Sequence, residues 1–324
     1  MDVTFIISNP NPHYVHKAFA DSVCDDRINC LLYKKRSILF PFLTLKAFFI
    51  NFFKIKNSDS FLLVGGIGLH LAFLIKLVFW RKKIILLNAD PFFYDLKNNF
   101  FIIKLFYRLY LKTLTGIICN SYLNQINAQN YFVKNKIKVV YPFLRDNILM
   151  NKKISISNSK NLVYVGRESN EKNIPILISF VEKYPEYTLF LIGNFLIKKN
   201  KNPSNVKYLG VLKANDLVKE LKNMDYGFLI SKYDSFGITP LEFILNGVFP
   251  IVSNNCGSKE IFNSKLPIIT STLSVLSIKK KIETIDEMDK NEILISLQKN
   301  VLELNLIEKN QVKKFKEVFL SLLH

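Results

Sequence analysis

The 324-residue chain has few of the residues that usually announce chemistry. It has four cysteines and four histidines. Cys24, Cys30, Cys119 and Cys256 form no CxxC pair and no metal-ligand spacing, so a disulfide framework and a structural zinc site are excluded, and free, mostly buried thiols are expected. No DxD-like acidic cluster or His/Asp set argues for a catalytic metal. No uninterrupted apolar run approaches the roughly 20 residues of a membrane span. The opening "MDVTFIISNPNP" lacks the basic and long apolar regions of a secretory signal, and the cysteine pattern fits a reducing cytoplasm. Acidic residues are scarce as well: 26 Asp and Glu stand against 45 Lys and Arg, a formal net charge of +19.

The imbalance is uneven. Residues 1–145 carry 20 basic and 7 acidic residues, and residues 146–324 carry 25 and 19. A basic first half points to an anionic partner there: phosphorylated substrate, membrane surface or nucleic acid. At 49% hydrophobic and 22% charged the chain is globular, and its length is comfortable for two domains.

Short apolar runs alternate with helix-length segments. Strands are expected at 3–8, 28–33, 61–66, 83–88, 116–121 and 137–142, and again at 162–167, 188–193, 206–210, 226–231, 249–254 and 266–270. Strands that are apolar on both faces, in a βαβα order, predict parallel sheets covered by helices. A polar Ser/Asn/Lys-rich stretch interrupts the pattern. The expected organisation is an α/β chain of two tandem Rossmann-like, doubly wound domains (1–145 and 161–304), a linker at 146–160 and a last helix at 305–324. Ligands of such sheets sit at the carboxyl ends of strands, and with two domains the cleft between them is the expected site.

Helices of the first half are unusual. "FPFLTLKAFFINFFKIK" (40–56) is crowded with Phe, "GLHLAFLIKLVFWRKK" (68–83) ends in Trp80 and three basic residues, and "NFFIIKLFYRLYLKTLT" (99–115) sets Lys104, Arg108 and Lys112 four apart among aromatics. Each could pack one face on a sheet. Together with the charge they also fit helices lying on an anionic bilayer.

In the second half, the strand "LVYVG" runs into "RESNEK". Gly166 allows a close turn, and Arg167 and Lys172 can converge on one multiply charged anion, Arg as a planar fork and Lys as a point charge. After the strand "YGFLIS" comes "KYDSFGITPLEFILNG". Thr239, Pro240 and Glu242 read as a capping box, with Thr at the N-cap and Glu at N3. The turn Ser235, Phe236, Gly237 and Ile238 leads into helix amides that lack intrahelical partners and suit an anion. Asp234 and Glu242 flank that position. Carboxylates do not bind phosphate but do accept from sugar hydroxyls, so the combination suggests a nucleotide sugar.

The segments "VGRESNEKN" and "DSFGITPLEFILNGVFPIVSNNCGSKE" resemble the GT-B glycosyltransferases of family four, also called group one, whose second domain carries G-R-x4-K and, some seventy residues on, E-x-F-G-x4-E. The resemblance covers most of 161–263, including Gly193 and a GS-x-E ending at Glu260; the first half resembles the family only in architecture. It implies that Arg167 and Lys172 hold the donor diphosphate and Glu242 accepts from ribose hydroxyls. Asp234 and Ser235 to Gly237 would contact sugar and phosphate, and Tyr208 to Leu212, with Leu209, would lie near the base. It also implies a retaining enzyme using a UDP- or GDP-sugar, with the last helix packing back on the first domain. Arg167, Lys172 and the helix amides would make a metal unnecessary, no cofactor is expected, and the basic, aromatic first half fits a glycan, polyprenyl-linked or lipid acceptor at the inner membrane face, with no nucleic acid. The sequence departs from the family at Asp234, where Glu is usual. "SNPNPHY" replaces a glycine-rich turn after the first strand, and "LLNADPFFY" replaces a His after the fourth, which leaves Asp90 as the nearest polar substitute. His13, and beside it His16, are acceptor candidates. A sugar-nucleotide epimerase of the same architecture, or a non-catalytic basic scaffold for membrane or nucleic acid, are the alternatives.

Overall fold

A computed structural model describes residues 2–7, 13–29, 40–144, 159–195, 203–262, 269–270 and 273–324. The linker 146–160 therefore lies almost wholly outside the described residues, as do Cys30 and the turn that follows the first strand. The chain divides into two compact units, Met1–Pro142 with Lys309–His324, and Phe143–Glu308.

The first unit has strands β1 (Val3–Ile7), β2 (Asp26–Asn29), β3 (Ser60–Val64), β4 (Lys83–Asn88), β5 (Gly116–Cys119) and β6 (Ile137–Val139). Helices α1 (Tyr14–Asp21), α2 (Phe40–Ile50), α3 (Phe52–Asn57), α4 (Leu69–Val78), α5 (Phe92–Lys97), α6 (Phe101–Leu111) and α7 (Tyr122–Gln129) lie between them. The second unit has strands β7 (Asn161–Val165), β8 (Thr188–Ile192), β9 (Val206–Gly210), β10 (Tyr226–Leu229), β11 (Phe249–Ser253) and β12 (Ile269–Thr270). Its helices are α8 (Ile174–Lys183), α9 (Ala214–Leu221), α10 (Thr239–Leu245), α11 (Val275–Asp286) and α12 (Lys290–Glu303), and α13 (Glu308–Leu323) follows.

Every described strand pair is parallel. The cause is visible in β3, β4, β5 and β11, which bury side chains on both faces and so need helices on both sides. The sheet orders are β2-β1-β3-β4-β5-β6 and β12-β11-β10-β7-β8-β9. In the first, the winding reverses between β1 and β3. In the second it reverses between β7 and β10, the Rossmann order, and in such sheets the carboxyl ends of the strands at the reversal are where ligands bind.

Several elements depart from expectation for local reasons. The helix expected at 40–56 is broken at Asn51, whose dihedrals (φ −103°, ψ 15°) are not helical. The strand expected at 116–121 stops at Cys119 because Ser121 caps α7, its hydroxyl accepting from the Asn124 amide. Helix α11 was not legible as a helix, although Ser274 and Ser277 form a reciprocal capping box at its start.

The long apolar stripe of α13 is buried in the first unit. The rings of Phe315 and Phe19 stack with centroids 4.5 Å apart, and Leu322 fills the space above Gly116, where a Cβ would come within 2.9 Å of it. The Lys83 ammonium donates to the Leu323 carbonyl. Phe19 and Phe315 are both essentially inaccessible. Truncation Phe315→Ala is expected to cost about 3–5 kcal/mol, the usual range for a fully buried Phe; urea denaturation followed by circular dichroism measures it.

Candidate active site

The winding reversal of the second sheet brings together the two segments that carry the sequence motifs. The loop after β7 holds Gly166, Arg167 and Lys172; the loop after β10 holds Asp234 to Ile238. They are tied by an ion pair between Lys172 Nζ and Asp234 Oδ2, both side chains mostly buried. The backbone ties them too, since the Lys232 amide donates to the Glu171 carbonyl at 2.7 Å. The other Asp234 oxygen accepts from the Phe236 amide at 3.3 Å, so the carboxylate closes its own turn while holding the lysine. A third segment locks this arrangement: Asp234 N–H donates to the Asn255 carbonyl, Gly257 N–H to Asp234 O, and Ser258 N–H to Phe236 O.

Two glycines are required by contact. Gly193, after β8, approaches so closely that a Cβ would stand 1.8 Å from the Gly166 carbonyl oxygen. Gly237 has φ +73°, and a Cβ there would lie 2.2 Å from a Leu229 methyl. Phe236 is buried and anchors the turn, while Ser235 is nearly so.

Arg167 is placed differently from Lys172. Its side chain is 74% exposed and its guanidinium meets Glu171 Oε1 at 3.1 Å, one helical turn away. Its backbone carbonyl accepts from the Tyr164 hydroxyl at 3.0 Å. Burial, and then the Asp234 charge, push the Tyr164 phenol up. Burial together with Asp234 likewise pushes the Cys256 thiol up to about 12, so that thiol stays protonated.

The capping box at Thr239 does not form. Helix α10 begins at Thr239, and Ile238 takes the cap position in a helical conformation (φ −77°, ψ −24°), its carbonyl accepting from Leu241 N–H at 3.0 Å. Thr239 and Pro240 are thus the first two helical residues, and Glu242 is the fourth. The positive φ of Gly237 turns the chain into the helix one residue earlier than a Thr cap would. Glu242 is buried all the same. Leu209 lies on β9, half-buried, and packs against the cluster of Val163, Ile192 and Phe243.

In the first unit, Asp90 follows β4 and serves the glycine turn after β3. One carboxylate oxygen accepts from Gly66 N–H and the other from Phe92 N–H, each at 3.2 Å. A glycine-rich turn is thus present, after the third strand, and Gly65 in it has φ +75° with no room for a Cβ beside Asp90. Next to it stands a buried amide cluster that sequence reasoning missed. Asn88 Nδ2 donates to Asn124 Oδ1 at 2.8 Å, and Asn124 Nδ2 donates to Asn88 O and Asn120 Oδ1. Its only signal was an Asn at or after the ends of two adjacent strands. His13 is exposed just before α1, with its ring 5.6 Å from that of His16. Among the described residues, no group of three or more His, Cys, Asp or Glu side chains is placed to hold a metal ion.

Two parallel Rossmann-type sheets in tandem define the architecture of a GT-B glycosyltransferase. The whole chain superposes on solved proteins of that architecture. Sucrose-phosphate synthase from Thermosynechococcus elongatus matches with a TM-score of 0.78 at 11% identity, covering 99% of this chain and 98% of that one. Anabaena HepE in complex with UDP-glucose matches with a TM-score of 0.74 at 16% identity, covering 99% and 100%. The lipopolysaccharide outer core galactosyltransferase WaaB matches with a TM-score of 0.71 at 14% identity, covering 99% of each. The family model of glycosyl transferases group 1 matches residues 146–299, which include most of the second unit. A Klebsiella pneumoniae protein described as an uncharacterized 41.2 kDa protein in the cps region is 29% identical over 164 residues, which span 47% of this chain and 46% of that protein.

Burial, and then the neighbouring His13, lower the pKa of His16 from 6.5 to about 4. The folded state thus binds this proton less readily than the unfolded chain, and the stabilisation is full above pH 6.5 and lost as pH falls to 4. Thermal melts across pH 7 to about 4 should show a declining Tm, and His16→Gln should flatten that decline.

Proposed function

We propose that the protein transfers a sugar from a nucleotide diphosphate sugar to a glycan or glycolipid acceptor, with retention of anomeric configuration. The observation that carries this is the Lys172–Asp234 pair across the winding reversal of the second sheet. It sets a cation, a carboxylate and the amides of a glycine turn at the place where doubly wound sheets take nucleotides. The family match and the UDP-glucose bound by HepE support a nucleotide sugar as donor.

In the proposed reaction the bond between the anomeric carbon and the diphosphate lengthens and breaks, and a bond to the acceptor oxygen forms on the same face. Nucleoside diphosphate and a proton leave. Negative charge grows on the diphosphate, and Lys172 and the amides near Gly237 meet it, with Arg167 joining them on ligand binding; fixed charge of this kind is often the largest catalytic term. These cations fill the role that a divalent ion would otherwise take. In the free protein Asp234 neutralises Lys172. The diphosphate, bearing more charge, replaces Asp234 as the partner of Lys172, and the released carboxylate turns to a donor hydroxyl. Arg167, exposed and held only by Glu171, swings in with the ligand. Glu242, buried on α10, accepts from the ribose. Leu209 lies beside the base. Asp90 and His13 serve the acceptor, which is borne on a polyprenyl or other lipid carrier at the inner face of the cell membrane. The polysaccharide and lipopolysaccharide settings of the Klebsiella and WaaB relatives support surface-glycan assembly as the setting.

A thermal-shift panel of UDP- and GDP-sugars tests the donor: one of them at a hundred times its Kd should add roughly 2.7 kcal/mol, and a flat panel would overturn the reading. Lys172→Ala should lower turnover by roughly 10²–10³, as removal of one oxyanion donor does. Wild-type transfer by that variant would remove Lys172 from the site.

A further inference from the structure

Helices α2, α4 and α6 connect successive strands of the first sheet and pack side by side, α2 on α4 and α4 on α6, as one layer. A helix covering a sheet normally turns its apolar side inward and its polar side to water. This layer also turns apolar side chains outward. On α6 the residues Ile102, Leu105, Phe106 and Leu109, at i, i+3, i+4 and i+7, are all exposed, and only Leu111 of that helix is fully buried. Phe101 is 73% exposed, Phe53 of α3 is 78% exposed, and Trp80, just past α4, is 69% exposed.

The charges on this layer are of one sign. Helices α2, α3, α4 and α6 contain no Asp or Glu. Lys46, Lys104 and Arg108 stand on them, and Arg81 and Lys82 follow α4, with the Arg81 guanidinium 4.8 Å from the centre of the Trp80 ring. A second copy of this surface would meet like charges with no acid to receive them. Apolar stripes edged by Lys and Arg, with a Trp at the rim, suit a surface that is oily within and anionic at its boundary. No helix among the described residues is long and apolar enough to cross a membrane, so the layer would lie on a bilayer rather than span it.

We propose that the outward surface of the α2–α4–α6 layer binds anionic lipid bilayers, with α6 and Trp80 entering the interface. The proposal takes from the proposed function only that the acceptor is lipid-borne, and it requires no donor sugar.

The chain's single tryptophan sits in this surface and reports on it directly. The full chain is mixed with phosphatidylcholine vesicles with and without phosphatidylglycerol. Flotation with the anionic vesicles that weakens as salt rises is expected. So are a blue shift of Trp80 emission and its quenching by brominated acyl chains. Phe101→Ser with Phe106→Ser should lower partitioning by at least about tenfold. Lys104→Gln with Arg108→Gln should remove much of the salt-sensitive part. Both variants should melt as wild type does, because the side chains replaced are on the surface. Three results would overturn the proposal: no flotation at low salt, flotation without a change in Trp80 emission, or self-association that the Phe pair abolishes. Vesicle binding and donor binding are read separately, so failure of either leaves the other standing.

Discussion

The second unit is organised around one ion pair, Lys172 with Asp234, that spans the gap between β7 and β10. Neither partner belongs to regular structure that could fix it alone. Lys172 ends a single 3₁₀ turn and is followed by Asn173 in the left-handed region; Asp234 sits between a strand and a glycine turn. Taking two charges partly out of water has a cost, which only close contact and additional hydrogen bonds repay. Asp234 supplies those bonds by accepting from the Phe236 amide, and Lys232 N–H to Glu171 O fixes the separation of the loops. The pair leaves the crevice locally neutral until something of greater negative charge arrives. In the proposed reaction that ligand is the donor diphosphate, and the contact that holds the loops would then also favour an anion over a neutral ligand.

The two units solve one packing problem twice and put the answer to different use. Both build parallel sheets from strands that are apolar on both faces. In the second, the polar groups gather at the strand ends, where Gly193 lets the backbone come close and Gly237 turns it into a helix. In the first, the strand ends carry a quieter polar set, with Asp90 on the turn amides and the Asn88–Asn124 pair beneath it. The conspicuous surface there is on the flank.

Much of this was legible from sequence. Strand positions could be read because buried parallel strands leave long apolar runs such as "KIILLN", and the two loops that meet at the winding reversal of the second sheet could be singled out because linked motifs fell in the right order. What could not be read depended on tertiary geometry. Thr239 looks like a cap, but the backbone at Gly237 decides where the helix begins, and it decides one residue earlier. Arg167 and Lys172 look equivalent in "GRESNEK", yet one is buried against Asp234 and the other pairs with Glu171 in water, because the intervening 3₁₀ turn points them apart. The amide cluster was invisible because isolated Asn residues carry no periodicity. Phe, Ile and Leu in α6 gave the expected helix, but sequence could not say that so much of it would stay uncovered.

Helix α13 gives the first unit a property that its sheet does not. The stacking of Phe315 on Phe19 joins residues separated by nearly the length of the chain, and Leu322 is seated over the distant Gly116. A ribosome making this protein from its N-terminus has already delivered all of residues 143–308 before the helix that closes the first core exists. The unit begun first is thus the unit finished last. The nascent first half must wait, with Phe19 and its neighbours uncovered, while the second half collapses on contacts of its own.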